Sequence, residues 1–494
     1  MKHAESFGNI RVWAGFVTMS LLIGLLVAVV PGKLHFKRSM RADAPLEDFC
    51  SYMDERVLTL MKSHGIPGVS IALVQSGEIV WTEAYGYADV ASGRELTVDT
   101  PMSLHSISKP VTAWGVMQLV EQGLIDLDAP MSKYLKSWRF PLSAYPAEKV
   151  TIRQLLSHTA GMPLGDFTDV YAPGEAMPAL REKLTRAAVL EREPGTAFSY
   201  SNVGFNLLEL LIEEVTGQSF SEYMRAGVFE PLGMRSASYA VDEGMSPYPP
   251  TGYNLTGQTV PVYLYPEKGS GGLFATAEDI ARFTLAGMKD NPVLSAEGIE
   301  RMYVPECRRI GIYGLVFDAY GLGHYLETLP IGARSVSHGG QGNGIMTHLQ
   351  AVPTTGDAIV ILTNSQKSWP FIAYLLTDWA QWRRFPSVGM GRIIWAHWGL
   401  SMVIGMMLSA SLLMILRAVM AFHRQGRIGM KLVRVVMALL LFGTLIWCAC
   451  QRYLLVASVF PSMSTWITGA TIALATSLLL SALLPLHGIR RGTS

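Results

Sequence analysis

The sequence predicts an α/β protein. One antiparallel sheet is flanked by helices, with a helical lobe inserted between its strands, and transmembrane helices follow at the C-terminus. Three observations carry this prediction. Strand-like hairpins stand at both ends of a segment of about 340 residues, helical periodicity fills its middle, and long uncharged runs occupy the rest of the chain.

The first hairpin is Gly68–Val74 and Glu78–Tyr85 around a Gln75–Gly77 turn; the second is Met346–Val352 and Ala358–Thr363 around Pro353–Gly356. Between them the apolar spacing turns helical over Pro110–Gly123, Ile152–Ser157, Asn202–Thr216 and Ala277–Ala286. Strands outside and helices inside predict one sheet closed by the two ends of the segment. A segment of this size can bury a substantial core.

The chain has 494 residues, 50% hydrophobic and 16% charged, against about 25% charged in an ordinary soluble domain. Its net charge of +1 conceals a split. No acidic residue follows Asp378, and the 11 basic residues beyond it leave 29 basic against 39 acidic before it, a net of −10. An acidic body has no phosphate-binding footprint, so nucleic acid is excluded as a partner. The pattern reads as a soluble domain joined to a membrane unit.

Four uncharged runs are candidate spans: Val12–Val30, Ile393–Leu416, Val435–Gln451 and Tyr453–Leu486, the last with Pro461 marking a turn before the helix. The expected organisation is a signal peptide or signal anchor over 1–44, a soluble domain over 45–385, and a membrane domain with three transmembrane helices over 386–494. Ala42-Asp43-Ala44 precedes Pro45, which hinders cleavage and favours a retained anchor. Arg417–Arg434 holds five basic residues and Arg490 and Arg491 end the chain. Positive loops stay in the cytoplasm, so the soluble domain is expected outside, at a bacterial inner membrane, with the lipid bilayer as partner of the C-terminal helices. The spans contain no acidic residue, which argues against an ion or proton pathway. Cys50 and Cys307 both lie in the exported part, where a disulfide is permitted. No Cys/His cluster has metal spacing, so no metal is expected.

Three short elements carry chemistry. Ser106-Ile107-Ser108-Lys109 precedes Pro110 and an apolar helical run, which places Ser106 at a helix N-terminus with Lys109 one turn on. A serine hydroxyl needs an adjacent base, and a lysine serves only if burial holds it neutral. Tyr200-Ser201-Asn202 offers a proton relay and an amide to orient the lysine, or alternatively a helix start with Asn202 as N-cap. Ser337-His338-Gly339-Gly340-Gln341, read as lying just upstream of a strand, offers close backbone approach to a ligand and an N–H for an oxyanion, or alternatively a glycine-rich turn.

In this order the three elements resemble the serine β-lactamase and penicillin-binding-protein-like hydrolases, in the class C β-lactamase and D-peptidase branch. The resemblance runs from Gly65–Ser70 through Leu155–Gly161, Pro194–Thr196, Gly271–Leu273 and Tyr320–Leu322 to His338–Gly340. It implies a β-lactamase/transpeptidase-like fold, with no metal or organic cofactor. It implies Ser106 as the acylated nucleophile, Lys109 and Tyr200 sharing the proton transfers, and Asn202 orienting them. His338 and Gly340 would line the substrate strand, and the N–H groups of Ser106 and Gln341 would form the oxyanion hole. The family usually carries lysine where this chain has His338 and a hydroxyl residue at Gly339, groups that grip a substrate carboxylate. Histidine at this position resembles D-aminopeptidases and related amide or ester hydrolases.

The expected function is therefore a membrane-tethered, extracytoplasmic serine hydrolase or peptidase. It would cleave amide bonds in peptides containing D-residues through an acyl-enzyme on Ser106. Two other readings are a penicillin-binding sensor or cell-wall interaction protein without turnover, and a prodrug-activating peptidase of a nonribosomal-peptide pathway. The layout of an exported domain with three C-terminal helices resembles the latter, while Ser103 stands where that group carries an acidic residue.

Overall fold

A computed structural model describes residues 17–26, 40–166, 168–242, 244–385, 388–420, 428–451 and 455–483. The chain divides into two compact units, Ser39–Arg392 and a second formed by Met1–Arg38 with Ile393–Ser494. The larger unit extends past the expected 45–385 at both ends because its ends are fastened. The Asp43 N–H donates to Trp382 O at 2.9 Å, and Gln381 Nε2 to Met40 O at 3.0 Å. At the other end Gly389 lies so close to Val316 that a Cβ would fall 1.9 Å from its carbonyl oxygen, and Arg392 Nη1 donates to Leu315 O at 3.3 Å.

Eight strands of this unit form one antiparallel sheet. Across it lie Arg94–Glu95, Glu78–Asp89, Gly68–Gln75, Asp357–Thr363, Ile345–Val352, Arg334–Gly342, Tyr325–Thr328 and Ala319–Tyr320. The two predicted hairpins meet at the centre, with Val69 opposite Thr363 and Val74 opposite Ala358. The sheet is thus closed by the two ends of the segment, as the sequence predicts. Central strands read as nearly continuous apolar runs because both faces are covered. Ala72, Val74, Val360 and Leu362 join the large core shared with the helical lobe, while Ile71, Leu73, Ile359 and Ile361 are equally buried on alternate positions.

The first and last helices of the unit, Leu46–His64 and Trp369–Trp382, pack together. Phe49 stacks on Trp382 with ring centroids 4.0 Å apart, and Arg56 Nε donates to Asp378 Oδ2 at 2.9 Å inside this interface. The lobe between the strands holds Ser108–Glu121 and Asn202–Thr216, the helices that carry the predicted lysine and asparagine. Ser201, rather than Asn202, is the N-cap of the second helix, its hydroxyl accepting the Gly204 N–H at 2.9 Å. That leaves the Asn202 side chain available elsewhere.

Among the described residues three helices are long and apolar enough to cross a membrane: Gly389–Arg417, Lys431–Ala449 and Pro461–Leu483, with mean hydropathies of 2.1, 2.2 and 1.7. Pro461 opens the last of them, as predicted. Of the Val12–Val30 run, Val17–Leu26 is helical and the remainder lies outside the described residues. Its backbone meets the first long helix at small residues. A Cβ on Gly405 would lie 2.4 Å from Ser20 O and 2.8 Å from Gly24 Cα, the close approach through which apolar helices associate without a hydrophobic drive. All four cysteines are free thiols, so Cys50 and Cys307 are not bridged.

Candidate active site

Ser106 lies in the 3₁₀ turn His105–Ile107, which runs directly into the Ser108–Glu121 helix. His105 has φ of 47°, left-handed for a residue with a Cβ, a strained turn of the kind functional sites retain. The strain is held from both sides. Leu104 N–H donates to Leu273 O at 2.8 Å, and the Leu104 carbonyl accepts from Thr347 Oγ1 at 2.9 Å.

Lys109 follows on the same helical face, 0% exposed. Its Nζ makes three contacts: Ser106 Oγ at 3.0 Å, Asn202 Oδ1 at 2.8 Å and Ser270 O at 2.8 Å. Burial alone pushes this amine well below its usual range, since no carboxylate compensates it. A neutral amine has two N–H donors and one lone pair. Asn202 Oδ1 and Ser270 O can only accept, so the lone pair falls to the Ser106 hydroxyl. Lys109 is therefore arranged as the base for Ser106.

Tyr200 is hydrogen-bonded to Ser106, and its ring centroid lies 4.8 Å from Lys109 Nζ. Burial, then the neighbouring Tyr313, raises its hydroxyl above the usual tyrosine range. Tyr200 thus stays protonated and donates to Ser106 Oγ. The arrangement sets an uncharged amine and a protonated phenol on the two sides of the Ser106 hydroxyl.

Ser337–Gln341 lies ahead of the strand Ile345–Val352, as expected, and is itself part of a strand, Arg334–Gly342. Glycine is demanded by what packs against it. A Cβ on Gly340 would fall 2.1 Å from Leu104 O, and one on Gly342 2.0 Å from the His105 ring. The strand is thereby drawn against the Ser106 turn. Its pairing with Tyr325–Thr328 stops at Ser337, so among the described residues His338–Gly342 has a strand partner on one edge only. Gln341 accepts the Trp369 indole N–H at 3.1 Å.

His338 is 0% exposed. Its Nε2 lies 3.2 Å from Tyr320 Oη and its Nδ1 2.9 Å from Gly339 O. A carbonyl only accepts, so Nδ1 carries the proton and Nε2 accepts from the tyrosine. Burial, then Lys109, pushes the imidazole well below its usual range. The side chain at this position is uncharged and both its nitrogens are engaged.

The structure adds residues to which the sequence reading gave no role. His158 has φ of 58°, and its Nδ1 accepts the Ser201 N–H at 3.1 Å. Its ring lies 4.3 Å from that of Tyr200 and 4.8 Å from that of Tyr320, between the two tyrosines of the site. Burial, then Lys109 and His338, keep it neutral. Glu209, from the same helix as Asn202, accepts the N–H groups of Lys268 and Gly269 on Oε2, each at 2.7 Å. It thereby holds the loop that presents Ser270 O to Lys109. A surface groove of about 600 Å³ between Gly77–Thr82 and Glu278–Lys289 contains no nucleophile beside a base among the described residues.

The sequence profile of the family described as Beta-lactamase matches residues 53–378. The chain belongs to the β-lactamase family. Among curated relatives, protein flp of Staphylococcus aureus (strain N315) is 33% identical over 211 residues, covering 42% of this chain and 41% of that protein. This chain thus spans about two fifths of the length of the curated relatives it matches first. PbpX of Bacillus subtilis (strain 168), named as a penicillin-binding protein, is 27% identical over 314 residues, 63% of this chain and 73% of PbpX. Among solved structures, SurE with D-Leu superposes with a TM-score of 0.54 at 25% identity, covering 67% of this chain and 74% of SurE. The chain shares the architecture of this family, an antiparallel sheet flanked by helices.

Proposed function

We propose that this protein is a membrane-tethered, extracytoplasmic peptidase or amidase. It cleaves amide bonds, in peptides containing D-residues, through an acyl-enzyme on Ser106. The observation that carries the reading is the three-contact setting of Lys109, which leaves its lone pair for Ser106.

Ser106 Oγ attacks the amide carbonyl as its proton passes to Lys109 Nζ. The N–H groups of Ser106 and Gln341 receive the developing oxyanion. The C–N bond then breaks, and the departing amine takes a proton delivered through Tyr200 from the Lys109 ammonium. Water enters on the acyl carbon and gives its proton to the regenerated Lys109 amine, which passes it to Ser106 Oγ as the ester C–O bond breaks and the acid is released.

The neutral, fully engaged His338 supports amides over carboxylate-bearing donors, because it supplies no positive charge for a free carboxylate. The SurE structure with D-Leu supports D-residues. Three long apolar helices support the tether, the charge-free Val17–Leu26 helix packed at Gly405 supports a retained N-terminal anchor, and the basic loop Arg417–Arg434 supports an outside body.

The test is intact-mass spectrometry over time of wild type and Ser106→Ala with a fluorophosphonate, a penicillin and an N-acyl-D-amino-acid amide. A Ser106-dependent adduct that forms from the amide and decays with released product is expected. An adduct that forms once and persists would establish a sensor instead.

A further inference from the structure

Residues Gly311–Val316 carry no charge, and they follow Arg308 and Arg309, which are exposed and without an ion-pair partner among the described residues. Gly311–Leu315 forms a 3₁₀ turn with Ile312 55% and Leu315 66% exposed. Single exposed apolar residues are ordinary on any surface. This turn differs in what is fastened to it. Gly389 packs on the Val316 carbonyl, the Gly389 N–H bonds the Glu327 carboxyl, and Arg392 Nη1 donates to Leu315 O. From Arg392 the chain continues as one apolar helix to Met420. Its first turns carry Trp395, 78% exposed, an aromatic of the kind that settles at a membrane–water boundary.

We propose that the Gly311–Leu315 turn is a bilayer-contacting surface of the hydrolase body. Ile312 and Leu315 enter the interfacial layer beside the point where the chain becomes a span, and Arg308 and Arg309 sit at the level of the lipid phosphates. The inference rests on reading Arg392–Met420 as a span. It has a consequence for access. Tyr313, on the same turn, has its ring 5.6 Å from that of Tyr200 and 6.1 Å from that of Phe198. The bilayer-facing turn therefore borders one flank of the catalytic residues, and an amide with an apolar chain would meet Ser106 from that side.

The test uses the full chain in phosphatidylcholine–phosphatidylglycerol nanodiscs, with Cys50, Cys307, Cys448 and Cys450 replaced by serine. An NBD fluorophore is attached in turn through Leu315→Cys, Ile312→Cys, Leu412→Cys within the apolar helix, and Leu142→Cys on the lobe, where the native residue is 99% exposed. Each labelled protein must retain the cooperative melt of the unlabelled one, and two positions on the turn guard against local damage at either. Doxyl-labelled lipid is expected to quench the probe at 315, 312 and 412 and to spare 142, with aqueous iodide showing the reverse. Quenching at 412 with iodide-accessible probes at 312 and 315 would overturn the proposal while leaving the span intact. Failure of doxyl quenching at 412 as well would overturn both.

Discussion

Lys109 Nζ stands 3.0 Å from Ser106 Oγ, with its other two contacts taken by oxygens that cannot donate, Asn202 Oδ1 and Ser270 O. Ser106→Ala should abolish turnover with the melt unchanged. Lys109→Met should lower kcat/KM by about a hundred- to ten-thousand-fold, the usual worth of a positioned base. The base acts only unprotonated, so activity exists above its folded pKa and is lost as pH falls through it. Burial holds that value below the ordinary lysine range. The acid limb of the pH–rate profile should accordingly lie well below the free lysine value of about 10.4; a limb near that value would refute the assignment.

His158 acts through the Ser201 N–H. Replacing it with phenylalanine keeps a ring between Tyr200 and Tyr320 but leaves that N–H without its acceptor, a loss of about 1–3 kcal/mol for a buried donor. Because Ser201 lies between Tyr200 and Asn202, kcat should fall more than KM rises. His158→Asn, which restores an acceptor, should recover part of kcat. A melt shift with unaltered kcat in the surviving fold would make the residue merely structural.

Glu209 is pushed up to about 8 by burial, against the pull of the Gly269 N–H and the Lys268 charge. The folded state therefore binds a proton that the unfolded chain releases near 4.5. Its contribution to stability is fully present below that lower value and is lost as pH rises through about 8. Melting temperatures of wild type should fall as pH rises from about 4.5 to about 8, and Glu209→Gln should flatten the fall. Parallel curves for the two proteins would exclude Glu209 as its source.

Asp378 pairs with Arg56 inside the contact between the first and last helices of the hydrolase unit. Asp378→Ala strands a buried guanidinium and should cost about 3–5 kcal/mol in denaturant unfolding. Arg56→Met with Asp378→Leu should recover most of that loss, since an apolar pair of similar volume avoids desolvation. If the double variant were as unstable as the single one, the ion pair would be a net stabiliser.

Much of the fold was legible because burial leaves periodic marks. The runs Gly68–Val74 and Ala358–Thr363 are apolar enough to announce central strands, and their pairing follows from their places at the two ends of the segment. Ser106 and Lys109 were legible because one helical turn separates them. The rest of the site was hidden for definite reasons. Ser270 and Leu104 act through main-chain carbonyls, which any residue supplies. Glu209 reads in sequence as one more polar position on an amphipathic helix, and only tertiary contact shows it buried under Lys268 and Gly269. Gly340 and Gly342 kept a turn open as an alternative because strands rarely tolerate glycine, whereas here Leu104 and His105 leave no room for a side chain.

The hydrogen bonds joining Asp43 to Trp382 and Met40 to Gln381 bring the beginning of the hydrolase unit to the end of its last helix. Covalent continuity then leaves that unit on two strings, one running back to Val17–Leu26 and the other forward from Arg392. A protease that severed the chain between Leu26 and Met40 would not set the hydrolase adrift. The forward string would still hold it, and the clipped N-terminal helix would stay lodged against Gly405. With the proposed membrane tether, nicked and intact forms of the protein should therefore sediment together with membranes, and separate only on a denaturing gel.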